Sequence, residues 1–114
     1  GDSVKLFTKE IEKALAANAS VDESTRRPVV KLFGGGACTW LISERIDDDT
    51  LYGLCDLGMG FPELGYVSQS ELERLRFGMH GAGVEVVERD MYVTPEKTLS
   101  EYAKDAREAG MIVA

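Results

Sequence analysis

Apolar residues recur at helical spacing in three parts of this chain. In the first, Ile11, Ala14 and Leu15 fall on one face of a helix, and the preceding Thr8 is a residue type that caps helix starts. The other two segments each begin with Ser or Thr followed three residues later by Glu, which is the spacing of a capping box. We therefore predict three helices: one over residues 8–17, one that begins at Ser68, and one that begins at Thr98 and ends at Gly110.

Between these helices the apolar residues follow the two-residue period of a β-strand. The alternation is clearest over residues 37–46, and turn-forming residues interrupt it at the glycines 34–36 and the aspartates 47–49. The predicted strands are residues 29–33, 37–46, 51–57, 63–67 and 84–90. Short hairpin connections favour antiparallel pairing. We expect an α+β fold: an antiparallel β-meander of about four to five strands, with the three helices packed against one face or end of it.

The turn at the three aspartates sets the register of the central hairpin. If Asp48 and Asp49 form a two-residue turn, Ile42 faces Cys55, and Cys38 shares a face with Cys55 about four residues out of register. At roughly 3.4 Å per residue, that offset is too long for a disulfide bond. We therefore expect both cysteines to be free thiols.

Composition and charge narrow the class of protein. The 114 residues match one domain, residues 1–114, and 44% apolar with 29% charged residues is ordinary for a folded chain. The net charge of −7, with scattered Lys and Arg, argues against direct nucleic-acid binding and against anionic membranes. No apolar stretch reaches the roughly 18 residues of a transmembrane helix, and residues 1–5 lack the features of a signal peptide. We expect a cytoplasmic protein that is a monomer or weak homodimer.

The motifs that invite a chemical interpretation fit structural roles better. Glycines 34–36 lie between two predicted strands, so they match neither a Walker loop nor a dinucleotide loop. Counted from Asp47, the sixth and twelfth residues are Tyr52 and Gly58, which rules out an EF-hand. The one histidine, His80, lies in a glycine-rich loop, and no zinc-ligand set accompanies it. We predict no metal site and no cofactor.

Four carboxylates lie in or at the ends of predicted strands, where β-branched and aromatic residues are more usual. If they converge, a pair of them could act as general acid and base or hold a hard cation. The favoured interpretation is that they cap turns or pair with Arg45, Arg74 and Arg89. The four are Asp56, Glu63, Glu88 and Asp90.

Several motifs along the chain resemble the DUF2958 family, small bacterial proteins of unknown function. These are a helix start at Leu6–Ile11, a strand with Trp40, the Tyr52–Asp56 strand, the segment Pro62–Leu72 and Val87–Asp90. The order of the motifs matches the family and covers most of the chain. Departures are mild, such as Cys55 at an aliphatic position and Val67 at an aromatic one. The resemblance implies a family often carried on mobile elements, and it brings no established activity or cofactor.

Aromatic residues beside carboxylates suit a protein-binding surface that combines apolar anchors with polar specificity. We therefore hypothesise a non-enzymatic module that binds a protein partner. One alternative is a small carboxylate-based or metal-dependent enzyme, and another is an acidic antagonist of a host defence nuclease. The candidate binding residues are Trp40, Tyr52, Asp56, Glu63 and Tyr66, together with Glu88, Arg89 and Asp90.

The segment around Gly65 is the most specific part of the resemblance. Glycine weakens a strand, so its presence here predicts a β-bulge or the close approach of another backbone or ligand. Glu63 and Tyr66 are predicted to point to opposite faces, one toward the core or a cleft and the other toward solvent.

Overall fold

Five strands and three helices are found in the computed structural model, which describes residues 6–34, 37–76, 87–91 and 95–114. The α+β class is therefore confirmed. Their order along the chain is α1 Lys9–Asn18, β1 Val30–Gly34, β2 Cys38–Arg45, β3 Thr50–Asp56, β4 Glu63–Ser68, α2 Gln69–Arg76, β5 Glu88–Arg89 and α3 Leu99–Ala109.

The strands form one antiparallel sheet in the order β4-β3-β2-β1-β5. Strands β1 to β4 are a meander, as predicted, because each pairs with its neighbour in sequence. Strand β5 pairs with the other side of β1, so β4 and β5 are the two edges. Of the predicted strand 84–90, residues 84–86 lie outside the described residues.

The register of the β2–β3 hairpin differs from the prediction. Trp40, not Ile42, faces Cys55, and Ile42 faces Gly53. The turn is longer than two residues, since the Ile46 amide bonds to the Thr50 carbonyl, and a bulge lies between Ile42 and Glu44. Each irregularity moves the register by one residue. The two cysteines, neither of which forms a disulfide, are consequently offset by two residues, not four.

Helices cover both faces of the sheet, so the expectation that they pack on one face or end is wrong. Helix α1 contributes Leu15 to a cluster with Leu32, Trp40 and Ile42, and we call this side the α1 face. Helix α3 packs on the opposite side, the α3 face, against Leu41 and Leu54. The reason lies in β2, where Trp40 to Ser43 are all buried, so that its two faces both need cover.

The helix ends follow the predicted chemistry. The Thr8 hydroxyl accepts a hydrogen bond from the Ile11 amide, and Thr98 and Glu101 form a complete capping box. Gly110 ends α3 with a left-handed φ of 75°. None of the helices described has the length and apolarity needed to cross a bilayer.

Candidate functional site

The loop between β3 and β4 presents apolar side chains to solvent. Leu57, Met59 and Phe61 are 58%, 74% and 79% exposed. Gly58 and Gly60 separate them, with φ of 78° and 86°, a left-handed region that other residues rarely adopt. We call residues 57–61 the apolar loop. Loops are normally polar, so three exposed large apolar side chains within five residues are an unusual surface feature.

A buried carboxylate holds the apolar loop in place. Asp56 is only 3% exposed, and its Oδ1 accepts a hydrogen bond from the Gly58 amide at 2.8 Å. Its Oδ2 accepts one from the Ile112 amide at 3.0 Å, in the segment that follows α3. That segment lies against the loop, since a Cβ added to Gly110 would be 3.9 Å from the Gly60 carbonyl oxygen. Asp56 therefore holds the loop from its buried side, and its carboxylate is not exposed to solvent.

Two shallow grooves meet at Leu57. One, of about 280 Å³, runs between β4 and α2, and its lining includes Trp40, Leu57, Val67, Glu71 and Leu72. The other, of about 300 Å³, lies over the apolar loop and is lined by Cys55, Leu57, Met59, Phe61 and Glu63. We call the pair the β4 groove. It is mostly apolar: Tyr66 and Ser68 also line its first half, and one glutamate borders each half.

The outer side of β4 pairs with no strand of the described part of the chain. In an edge strand, alternate residues direct their N–H and C=O groups outward, where another chain can bond to them. Gly65 lies in the middle of this strand, and no atom lies within 4 Å of a Cβ added there. The pairing of β4 with β3 is regular, so the predicted bulge at Gly65 is wrong. The glycine leaves open space beside the β4 groove.

The residues predicted as one binding face lie on two faces. Trp40 and Glu63 belong to the α1 face, through the Trp40–Cys55 and Cys55–Glu63 pairs, whereas Tyr52 and Tyr66 pair on the α3 face. Trp40 and Asp56 are also buried. Strand alternation explains the separation, because odd and even positions of β3 and β4 point in opposite directions. These residues are therefore divided between the two faces, although Trp40 and Tyr66 both line the groove between β4 and α2.

The prediction that Glu63 and Tyr66 point to opposite faces is confirmed. The exposed Glu63 borders the β4 groove. Tyr66 is 68% exposed and lies against Tyr52, with ring centroids 5.2 Å apart.

The remaining candidates, Glu88, Arg89 and Asp90, lie at the other edge of the sheet. Four strand spacings of about 4.8 Å separate β5 from β4, or roughly 19 Å. The Asp90 carboxylate is 3.5 Å from the Lys31 ammonium. The four strand carboxylates therefore do not converge, and the described residues contain no group of three metal-ligating side chains.

The other motifs have local roles or lie outside the described residues. Arg45 lies 3.8 Å from Glu12, whereas Asp56 has the turn-capping role that the favoured interpretation also offered. The Asp47 carboxylate accepts the Asp49 and Thr50 amides, as a turn residue does. His80, Gly35 and Gly36 lie outside the described residues.

Both cysteines are poor nucleophiles at neutral pH. Burial raises the pKa of the Cys55 thiol to about 11. Burial and, second, the nearby Asp56 carboxylate raise the pKa of Cys38. A thiolate is the reactive form, so the thiol in the β4 groove contributes contact area there.

The apolar loop is the part of the site that the sequence analysis missed. Its residues were assigned to the end of a strand and a connection. The signal was the alternation of glycine with large apolar residues from Leu57 to Phe61, since two glycines at alternate positions build a turn and not a strand.

Comparison with known proteins confirms the resemblance seen in the sequence. The model of the family described as "Protein of unknown function (DUF2958)" matches residues 6–113. No curated protein and no solved structure shows a significant match to the chain.

Proposed function

The chain belongs to the DUF2958 family, and we propose that it is a binding module that recognises a protein partner through the apolar loop and the β4 groove. The observation that carries this proposal is the exposure of Leu57, Met59 and Phe61 beside an edge strand. Exposed apolar groups that lie together, with polar residues at their rim, are typical of protein-binding surfaces.

The loop is held in shape before a partner arrives. Gly58 and Gly60 permit its left-handed turns, and Asp56 bonds its backbone to the sheet. A partner then has less of the loop backbone to order on binding. This arrangement supports binding more than it supports stability, since the loop side chains themselves bury little within the described residues.

The carboxylate-enzyme alternative stays a prediction. Glu63 in β4 and Asp90 directly after β5 lie at opposite edges of the sheet, so a catalytic pair of the four carboxylates would have to come from one edge. The acidic-antagonist hypothesis rests on the net charge and stays a prediction.

Capture of a partner from extracts of the native host, with chemical crosslinking, tests the proposal. The test variant is Phe61→Ser. The matched control is Ile46→Ser, because Ile46 is also a large exposed apolar residue, at 48%, but lies in the β2–β3 turn at the far end of the sheet. We expect wild type and Ile46→Ser to capture the same protein and Phe61→Ser to lose it. Equal capture by all three proteins, or no specific capture, would contradict the proposal.

A further inference from the structure

We infer that the partner contributes an extended segment that alternates apolar with basic residues and adds as a strand to the outer edge of β4. The inference rests on the proposed function and names the chemistry of the partner. Three observations carry it: the bare edge of β4, the open space at Gly65 and the position of two exposed glutamates.

Within the described residues, the edge of β4 lacks several of the usual protections against pairing. Natural proteins prevent edge strands from pairing with other chains by charged side chains such as lysine, by proline, by bulges, by very short strands, or by a covering helix or loop. The six residues of β4 contain neither lysine nor proline, and their pairing with β3 is regular. The other edge, β5, is only two residues long. The contrast indicates that β4 is the edge that accepts another strand.

The apolar loop alone gives too little free energy for stable binding. Burying three large apolar side chains offsets only part of the loss of translational and rotational freedom on association, and a stable complex needs a surplus beyond that cost. Backbone hydrogen bonds along β4, which continues directly from the loop, supply a second source of affinity.

Gly65 provides the space that an added strand needs. Side chains of paired residues on neighbouring strands lie about 4.5–5.5 Å apart at their Cβ atoms. No atom lies within 4 Å of a Cβ at Gly65, and its φ is not in the left-handed region, so nothing within the described residues demands glycine there. An apolar side chain of the added strand fits over Gly65 and into the β4 groove.

The exposed carboxylates beside the β4 groove favour a partner segment that is basic. Glu63 and Glu71 are exposed, border the two halves of the β4 groove and form no ion pair within the described residues. The whole chain carries a net charge of −7. Lysine or arginine at the ends of the added segment compensates these carboxylates. A second copy of this chain brings the same glutamates and the same net charge, which disfavours it as the occupant.

Selection from a displayed library of random dodecapeptides, on the intact chain, tests the inference. Peptides are selected on wild type and counter-selected on Gly65→Val, which fills the space with a side chain that strands accept. We expect the selected peptides to alternate apolar residues with Lys or Arg. Their affinity, measured by fluorescence anisotropy, is expected to fall roughly tenfold or more for Gly65→Val, and similarly when alternate peptide amides are N-methylated.

A second variant keeps the test decisive if Gly65→Val fails to fold. Glu63→Gln keeps the shape of the side chain. We expect it to lower the affinity for basic peptides and to reduce the salt dependence of their binding. Glu88→Gln, an exposed glutamate on the opposite edge, is the control and is expected to change neither.

Other outcomes overturn the inference. The selected peptides could be acidic, or their apolar residues could recur at helical spacing. Binding could survive N-methylation, or no peptide could remain after counter-selection. Sedimentation could also show that the chain forms a dimer that Gly65→Val abolishes. If host capture still depends on Phe61 in any of these cases, the proposed function stands and only the strand-addition mode is wrong.

Discussion

At the scale of single residues, Asp56 links the fold to the candidate site. Its two carboxylate oxygens accept backbone amides from Gly58 and from Ile112, 56 positions away. In Asp56→Asn, one oxygen becomes an NH₂ group that faces a donor, and a buried amide loses its acceptor. We expect a loss of about 1–3 kcal/mol in the free energy of unfolding, measured by urea denaturation. Asp48→Asn, at an exposed turn position, is the control. Equal midpoints for the two variants would refute the role given to Asp56.

Sequence could identify Asp56 as unusual but not as buried. A carboxylate at the end of a strand gives the same sequence signal whether it binds a partner or caps a loop. The partner amide of Ile112 becomes its neighbour only when the segment after α3 folds back onto the sheet. In contrast, the opposite directions of Glu63 and Tyr66 follow from strand period alone, and they were predictable.

The thiol of Cys55 makes stability fall at high pH. Its pKa is raised to about 11 by burial, against 9.0 for an ordinary thiol. Between these values the folded state holds the proton and the unfolded state releases it, so the contribution is present below pH 9 and is lost as pH rises toward 11. Two pKa units correspond to roughly 2–3 kcal/mol.

The measurement compares wild type with Cys55→Ala in urea denaturation from pH 8 to 11. Lysine and tyrosine titrations are common to both proteins, so their difference isolates the thiol. We expect the stability of wild type to decline more steeply across this range. Parallel declines would show that burial does not hold the proton on Cys55.

At the scale of elements, two paired glycines have opposite roles. A Cβ at Gly53 would lie 2.1 Å from the Leu41 carbonyl oxygen and 2.8 Å from the Ile42 Cα, both of them backbone atoms of β2. Its partner Gly65 has no atom within 4 Å of such a Cβ. We expect Gly53→Ala to cost about 3 kcal/mol or more, and Gly65→Ala to stabilise by about 0.5–1 kcal/mol.

Thermal denaturation of the two variants checks this difference. Similar melting temperatures would mean that β2 and β3 relax apart at little cost. A large loss in Gly65→Ala would instead indicate that the space at Gly65 is filled in the folded chain.

The bulge opposite Gly53 illustrates which features of the sheet can be predicted from the sequence and which cannot. Apolar alternation located every strand of the meander, and the capping residues located the helix starts at Thr8 and Thr98. The register depended on how many residues form the turn after Arg45 and on one extra residue at Ser43. Both are decided by local hydrogen bonds that alternation does not encode, and the bulge lies in β2 and not at Gly65.

At the scale of the whole molecule, the two-sided sheet was visible in the sequence but not used. The consecutive apolar residues Trp40, Leu41 and Ile42 have no polar position between them, which is typical of a strand buried on both faces. The placement of α1 and α3 on opposite faces follows from it. No such signal distinguished Arg26, which lies in a polar stretch that predicts only a loop.

Arg26 connects three parts of the molecule: the segment between α1 and β1, strand β2 and the start of α3. Its guanidinium pairs with Glu44 of β2 and donates to the Val21 carbonyl at 2.7 Å, and its own carbonyl accepts the Leu99 amide at the start of α3. The side chains of Arg26 and Glu44 are only 10% and 12% exposed. Removing one partner leaves a buried charge uncompensated, whereas replacing both with apolar residues removes the cost of desolvation as well.

A double-mutant cycle in urea denaturation follows from this burial. We expect Arg26→Met to lose about 3–5 kcal/mol of unfolding free energy, because Glu44 is then buried without its partner. The pair Arg26→Met with Glu44→Leu is expected to recover most of that loss, although it removes more hydrogen bonds than the single change. Recovery would show that the Arg26–Glu44 ion pair is not a main source of the stability of the molecule. If the double variant is no more stable than Arg26→Met, the guanidinium instead stabilises the molecule through its bond to Val21, and the segment between α1 and β1 depends on that contact.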